Sequence, residues 1–457
     1  MIRIAVADAG RQGWVWSAAG LVALVVSVFT TWCLNFIATV AAAPDAVFAG
    51  MTMGRGGYVT LGSNLLVFSC LPGLVVLGIV LSSVTTHTAL AQSLWRLGGA
   101  SPAQMVVMTT VQAVIVCGGA TVLGALVSLS FQQAVTDVLV GSGEGPGHGV
   151  PAVRSPWAVL GSVGVLAVLA VLAVVIPARR TALRSPTQVR SASEQATRPG
   201  IGCLIVVIVV FVMGVLPLFA ILYGVHVAGD ALRAAAVTLP LGQALVLMTA
   251  LTAPWVLPGL IAGWTRIVGS RSWPVWQLAR HLSVKRIAAS AATIAPLTLG
   301  LGLLASYGMI QATLTNLAPT GAGPNMMEGV VILLPIAVIS AAGSIAVVLM
   351  AARQHTEDIV TMRSAGATRA NIAAVMVAEA VIVTVSAVLV ALIPAALQYG
   401  LLAYALGIYG EPLTRIGLDP LPTLMLAGIA LAGMLIALLT AARSASRQPL
   451  SELLADR

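Results

Sequence analysis

Charged side chains are scarce in this sequence. Asp, Glu, Lys and Arg make up only 8% of its 457 residues, whereas a soluble domain contains about 25%. Hydrophobic residues make up 59%, and the mean hydropathy is +1.02. This composition excludes a soluble globular protein and predicts an integral membrane protein. The apolar residues form runs long enough for a helix to span a bilayer, so they favour a helical bundle over a barrel of short alternating strands.

Lysine occurs once, as Lys285 in the sequence Ser-Val-Lys-Arg. A phosphate-binding loop of the Walker A type needs a lysine that can reach the phosphates. The glycine-rich stretches lie at residues 54–57, 98–99, 141–149 and 298–302. None of them contains a lysine. We therefore expect no bound cofactor and no ATP hydrolysis on this chain.

Cysteine and histidine are also few, with four and five copies. The cysteines all lie in apolar runs, so neither a disulfide framework nor a metal site is expected. No set of Ser, His and Asp shares one side of the membrane at a spacing typical of a hydrolase. The net charge of +9 does not predict nucleic-acid binding, because the basic residues follow membrane topology.

The apolar runs predict ten membrane-spanning helices. They cover residues 14–41, 61–85, 105–131, 157–176, 201–225, 239–264, 287–314, 330–352, 372–401 and 421–441. The polar residues 266–286 are predicted to form an amphipathic segment at the membrane surface, where Trp273 and Trp276 suit the interface.

The basic residues predict the orientation. All but four of the 23 lie on the side that holds both termini, and the exceptions are Arg55, Arg154, Arg233 and Arg415. Because basic residues accumulate on the cytoplasmic side, we expect both termini to be cytoplasmic. The membrane is expected to be a bacterial plasma membrane.

Two polar turns in this chain resemble each other, 267 residues apart (96 to 363). The first reads R-L-G-G-A-S-P-A-Q from Arg96, and the second reads R-S-A-G-A-T-R-A-N from Arg363. Ser101 and Gln104 form a predicted capping box, and Thr368 is a predicted helix cap. The stretches 177–186 and 440–449 also correspond, so helices one to four match helices seven to ten. The central pair keeps both copies in one orientation, which predicts parallel repeats.

The two turns are candidate docking sites for a cytoplasmic partner. A plain connection between two helices would explain one copy equally well, but two copies on one side, each with an arginine before the glycine, favour docking. The candidate residues are Arg96, Gly99, Ala100 and Ser101 in the first turn, and Glu357, Asp358, Arg363, Gly366, Ala367 and Thr368 in the second. Only the second copy has the two acids, so the docking faces are expected to differ.

Glu379 is the only acid inside a predicted span, and Gln112 is its counterpart in the first repeat. A charge in mid-membrane costs about 2.5–3.5 kcal/mol, so it needs a partner or a wet path. One interpretation is a buried acid bonded to a neighbour such as Gln112. The alternatives are a hinge contact between the repeats, or a proton-linked site in an ion-coupled transporter.

The pattern R-x-x-G-A-[TS], the following helix with Glu-Ala or Gln-Ala, and the basic segment that closes each copy resemble the FtsX/MacB superfamily of ABC transporter permeases. The ten-helix layout is similar to the bacitracin-resistance type. The resemblance implies a separate ATPase, with ATP and Mg bound there, that docks under the turns. The partners it suggests are an ABC ATPase dimer, membrane lipid and a sensor kinase, with no nucleic acid.

The predicted fold is an all-α polytopic membrane protein with two parallel four-helix FtsX-like repeats and a central helix pair. The predicted domains are residues 1–200, 201–271 and 272–457. No large extracytoplasmic domain is expected, because the outer connections are short, whereas the family often has one. The predicted function is export or extraction of amphiphilic compounds such as antimicrobial peptides, lipids or drugs, as in antimicrobial resistance. The alternative is a membrane protein that transmits force or signals without net transport.

Overall fold

A computed structural model describes residues 10, 13–48, 54–141, 150–183, 223–267, 274–285, 287–318 and 326–447. Every regular element in these ranges is helical, as predicted. The α-helices are α1 Gly13–Ala42, α2 Arg55–Leu97, α3 Pro102–Gly141, α4 Pro156–Leu183, α5 Ala231–Val237, α6 Leu239–Ile267, α7 Pro274–Lys285, α8 Ile287–Leu317, α9 Met326–Ser364, α10 Arg369–Ile408 and α11 Leu421–Arg447, with short 3₁₀ turns at Asp45–Phe48 and Leu413–Arg415.

Eight of the helical segments are long and apolar enough to cross a membrane, within the part of the chain that the structure describes. They are Val15–Ala42, Arg55–Ala89, Pro102–Val140, Pro156–Leu183, Ala231–Ala250, Ile294–Leu317, Arg369–Ile408 and Leu421–Thr440. The predicted span 330–352 lies in α9, which contains the shorter apolar segment Leu333–Val347. The predicted span 201–225 lies almost wholly outside the described residues.

Several helices are longer than their apolar runs predicted. Helix α2 has 43 residues and α9 has 39, although the predicted spans were 61–85 and 330–352. A helix satisfies its own backbone hydrogen bonds, so it can continue from the bilayer into water. The end of the apolar run marks the edge of the hydrocarbon region and not the end of the helix.

The first compact unit comprises Met1–Gln195 and Pro324–Gly343. In it α1 packs against α2, α3 and α4, while α4 also contacts α2 and α3. Small residues allow this close packing: a Cβ added at Gly124 would lie 2.9 Å from the Ser27 Cβ. The Ser27 hydroxyl donates to the Thr121 carbonyl at 2.7 Å. Small residues and interhelical hydrogen bonds are typical of helix packing inside membranes.

The second compact unit comprises Ala196–Gly323 and Ser344–Arg457. Here α10 contacts α6, α7, α8 and α11, and α6 also packs on α8. A Cβ added at Gly302 would lie 2.8 Å from the Val246 side chain, which shows how closely α6 and α8 approach. One of the three boundaries between the two units along the chain falls inside α9, between residues 343 and 344.

Helix α7 lies within the predicted amphipathic segment, and the first two residues of that segment belong to α6, which continues to Ile267. The prediction that Trp276 faces the membrane interface is wrong, since its side chain is buried. Trp276 packs edge-on against Trp264 with ring centroids 6.0 Å apart. The Trp264 Nε1 donates to the Ser386 hydroxyl of α10 at 3.0 Å. Trp273 lies outside the described residues.

Candidate functional site

The first candidate turn joins α2 to α3 through a Schellman motif. The Gly99 N–H donates to the Arg96 carbonyl at 2.9 Å, and the Ala100 N–H donates to the Trp95 carbonyl at 3.1 Å. These are the two bonds that define the motif. Gly99 has φ +94°, a left-handed conformation that side chains with a Cβ disfavour. The sequence Gly-Gly-Ala therefore ends α2 with its last carbonyls satisfied.

The next helix, α3, begins three residues after Gly99, at Pro102. The Ser101 hydroxyl accepts from the Gln104 N–H at 3.3 Å, and the Ser101 N–H donates to the Gln104 Oε1 at 2.9 Å. This reciprocal pair is the predicted capping box, and it is confirmed. Pro102 occupies the first helical position, where it has no backbone partner to lose.

The second candidate turn repeats this geometry between α9 and α10. The Gly366 N–H donates to the Arg363 carbonyl at 3.0 Å, and the Ala367 N–H donates to the Met362 carbonyl at 2.9 Å. Gly366 has φ +87°. The Thr368 hydroxyl accepts from the Asn371 N–H at 3.3 Å, so Thr368 caps α10 as predicted.

The predicted site residues lie at the surface of these turns. Gly99, Ser101, Gly366 and Thr368 are exposed, whereas Arg96, Ala100, Arg363 and Ala367 are half-buried. Asp358 is half-buried one and a half turns before the end of α9. Glu357 lies in α9, and its side chain is outside the described part of the structure. Each turn therefore presents a rigid, partly exposed corner.

The exposed side chains of the two turns differ in polarity. Leu94, Trp95 and Leu97 of α2 are 63%, 38% and 74% exposed. At the corresponding positions of α9 stand Thr361, Met362 and Ser364. Sequence reasoning missed this difference, because the leucines look like the end of an apolar run and nothing in that run shows which residues face water.

Glu379 and Gln112 are both buried, at 5% and 4% exposure. Each lies ten residues after the first residue of its helix, Arg369 in α10 and Pro102 in α3. Because α10 begins three residues earlier than predicted, Glu379 lies about 15 Å, or nearly three turns, along the helix. Gln112 belongs to the first unit and Glu379 to the second, and a bond between them stays a prediction.

A polar clasp, which the sequence did not reveal, holds the chain before α4 at the opposite end of the first unit. The Thr39 hydroxyl accepts from the Val153 N–H at 2.9 Å, and the Asn35 Oδ1 accepts from the Ser155 N–H at 3.0 Å. The Gln132 amide donates to the Val153 carbonyl at 3.0 Å. A short extended segment is thus fixed by side chains of α1 and α3.

A similar clasp holds the chain before α11 in the second unit. The Thr313 hydroxyl accepts from the Gly417 N–H at 3.1 Å. The Asn316 amide donates to the Arg415 carbonyl at 3.2 Å, and the Arg415 guanidinium donates to the Asn316 carbonyl at 2.6 Å. In the first unit α1 holds its connection with Thr39 and Asn35, and in the second α8 holds its connection with Thr313 and Asn316.

In the described ranges, no three His, Cys, Asp or Glu side chains come together in a way that could hold a metal ion. Within each unit, a rigid turn joins two long helices, and a hydrogen-bonded connection lies at the opposite end of those helices.

These features define a multi-pass α-helical membrane protein with a helix–turn–helix corner built twice. The family profile described as FtsX-like permease C-terminal matches residues 63–186 and 330–450, together more than half of the chain. The chain belongs to the FtsX-like permease family, whose members are membrane transporter components of the ABC permease type. The matched regions start 267 residues apart (63 to 330), as do the two turn glycines (99 to 366). Comparison with curated proteins finds no match.

Proposed function

We propose that this chain is the membrane-spanning permease subunit of an ATP-driven ABC transporter that exports or extracts amphiphilic compounds. Membership of the FtsX-like permease family supports the class. The observation that carries the proposal is the pair of turns. Each has a left-handed glycine, a Schellman motif and a capped following helix. A displacement of either turn is therefore transmitted to the two helices that it joins.

The architecture that we propose has ten spanning helices in two parallel four-helix repeats, with a central pair between them. The domains are residues 1–200, 201–271 and 272–457, and both termini are cytoplasmic in a bacterial plasma membrane. The two matched regions support the repeat, and the distribution of basic residues supports the orientation.

The proposed partner is a dimer of ABC ATPase subunits that binds ATP and Mg and contacts both turns. One permease chain would then serve one ATPase pair, because each turn provides one contact. The single lysine of the chain stands outside any phosphate-binding loop, which is consistent with ATP hydrolysis on a separate subunit. The proposed cargo is an antimicrobial peptide, a lipid or a drug.

The test substitutes the glycine and the alanine of the second turn. In Gly366→Val/Ala367→Glu, we expect membrane insertion to persist and permease-stimulated ATP hydrolysis to be lost, because the valine disfavours the left-handed backbone and the glutamate adds charge to the contact. Gly410→Val is the matched control. Gly410 has φ +72° and ends α10 with the same kind of motif that ends α9 at Gly366, at the end of α10 opposite the second turn.

Three results would contradict the proposal. They are equal ATPase stimulation by the Gly366→Val/Ala367→Glu variant and wild type, an equal loss in the Gly410→Val control, or no ABC ATPase with the purified wild-type chain. Stimulated hydrolysis in reconstituted vesicles without movement of any lipid or peptide would instead favour a protein that only transmits force.

A further inference from the structure

Three apolar side chains at the end of α2 form a patch that we call the anchor patch: Leu94, Trp95 and Leu97. They are 63%, 38% and 74% exposed, although they flank a turn whose other exposed residues are glycine, serine, proline, alanine and glutamine. Contiguous exposed apolar side chains rimmed by polar residues are typical of interaction surfaces. We therefore expect another molecule to cover the anchor patch.

Lipid tails are not that molecule. The predicted apolar span of α2 ends at Thr85, where the polar stretch Thr-Thr-His-Thr begins, and Leu97 lies twelve residues further (85 to 97) along a continuous helix. At the helical rise this is about 18 Å beyond the apolar span. The polar headgroup region is only about 5–8 Å deep on each side of the hydrocarbon core. The tip of the anchor patch thus projects past the headgroups, towards a partner in water.

The second turn has the same backbone and different side chains. Thr361 and Ser364 replace the two leucines and are exposed, and Met362 replaces the tryptophan and is half-buried. The Ser364 hydroxyl donates to the Thr361 carbonyl at 2.8 Å, so its polarity is satisfied locally. The second turn offers a smaller apolar contact than the first.

We propose that the two turns divide the docking of the ABC ATPase: the anchor patch of the first turn inserts in an apolar pocket of one ATPase subunit and holds it, whereas the polar second turn makes the weaker contact that exchanges during the cycle. This inference rests on the proposed function. If the two ATPase subunits present equal pockets, the larger apolar area at the first turn binds more tightly, because affinity gained from apolar burial rises with the area removed from water.

The test exchanges the side chains of the two turns. Leu94→Thr/Trp95→Met/Leu97→Ser gives the first turn the side chains of the second. Removing one fully buried leucine side chain weakens an interface by about 10- to 100-fold, so we expect this variant to bind the ATPase at least about 100-fold more weakly. The reverse change, Thr361→Leu/Met362→Trp/Ser364→Leu, should restore binding when it is added to the first variant.

The measurement is the dissociation constant between the permease in lipid nanodiscs and the purified ABC ATPase identified by co-purification with the wild-type chain. Leu418→Ser is the matched control, because Leu418 is 67% exposed in the connection before α11, at the end of α10 opposite the second turn. It should bind as the wild type does. Ser364→Ala, at the second turn, should leave affinity within about twofold of wild type, because it removes no apolar contact.

The outcomes separate this inference from the proposed function. One outcome is that the wild type binds the ATPase and the anchor variant, Leu94→Thr/Trp95→Met/Leu97→Ser, has a dissociation constant within about twofold of the wild-type value. The anchoring role of the patch is then contradicted, and the proposed function is unaffected. If the anchor variant lowers the unfolding temperature of the permease alone while Leu418→Ser does not, the patch is covered by another segment of this chain, and the inference is overturned. If the wild type binds no ABC ATPase, this inference and the proposed function are both contradicted.

Discussion

Gly242 in α6 is a position where one added methyl group should perturb the second unit. A Cβ built there would lie 2.8 Å from the Gln398 Cδ, and it would come closer still to the Gln398 Oε1 and the Ser306 hydroxyl. Gln398 and Ser306 are fully buried. The Gln398 amide donates to the Thr238 hydroxyl at 3.1 Å. Gly242→Ala must therefore move a buried side chain that is already bound, or separate α6 from α10.

The magnitude follows from three contributions. Forcing a methyl group into a packed interior costs about 1–3 kcal/mol. Loss of the Gln398–Thr238 bond adds about 0.5–1.5 kcal/mol, and interhelical bonds in membranes average about 0.6 kcal/mol. The better helix propensity of alanine offsets about 0.5–1 kcal/mol. We expect the free energy of unfolding to fall by about 1–3 kcal/mol in Gly242→Ala.

The assay is reversible unfolding of the purified chain in mixed micelles with rising SDS, followed by tryptophan fluorescence. Gly259→Ala in the same helix is the matched control, since an added Cβ there meets nothing within 4 Å. It should be neutral or slightly stabilising. In Gly242→Ala/Gln398→Ala the new methyl occupies space left by the amide, so the double variant should be at least about 1 kcal/mol more stable than the sum of the single effects. Equal stability of Gly242→Ala and Gly259→Ala would refute the reasoning.

Three further predictions concern local bonds. Gly366→Ala should lower the free energy of unfolding by about 1 kcal/mol through backbone strain alone, whereas Gly400→Ala inside α10 should not; equal effects would contradict the role of the left-handed turn. Ser27→Ala removes the bond to Thr121 and should cost about 0.6–1.5 kcal/mol in the same unfolding assay, and an unchanged unfolding midpoint would show that the bond contributes little. Thr39→Val leaves an N–H of the clasped segment before α4 without its acceptor, so a protease added from that side should cut this connection faster than in wild type; an unchanged rate would argue against the clasp.

The features that the sequence predicted correctly depend on local chemistry. Long apolar runs must be helical in a bilayer, because each helix satisfies its own backbone groups. The turn at Gly99 could be predicted because Gly-Ala followed by Ser-Pro-x-Gln contains both a helix stop and a helix start. The turn at Gly366 could be predicted because Gly-Ala is followed by Thr368, a helix-capping residue. In both cases the deciding residues are neighbours in the chain.

The features that it did not reveal depend on which helix faces which. The Gln398 amide reaches Thr238 across 160 residues, and the Asn35 side chain reaches Ser155 across 120. A polar residue in an apolar run signals that a partner is needed, but the run does not name that partner. Trp276 shows the same limit, because an amphipathic pattern cannot distinguish a face against lipid from a face against α6.

Pro72 divides α2 into two arms of unequal length. It lies inside the helix, where it has no N–H to donate to the carbonyl of residue 68, so bending is easiest there. The arm from Pro72 to Leu97 is about 37 Å long and the arm back to Arg55 is about 25 Å long at the helical rise. A bend of about 10° at Pro72 would move the anchor patch by about 6 Å while the shorter arm keeps its place. Helix α2 can therefore let the end that carries the anchor patch move without displacing the helix at its Arg55 end.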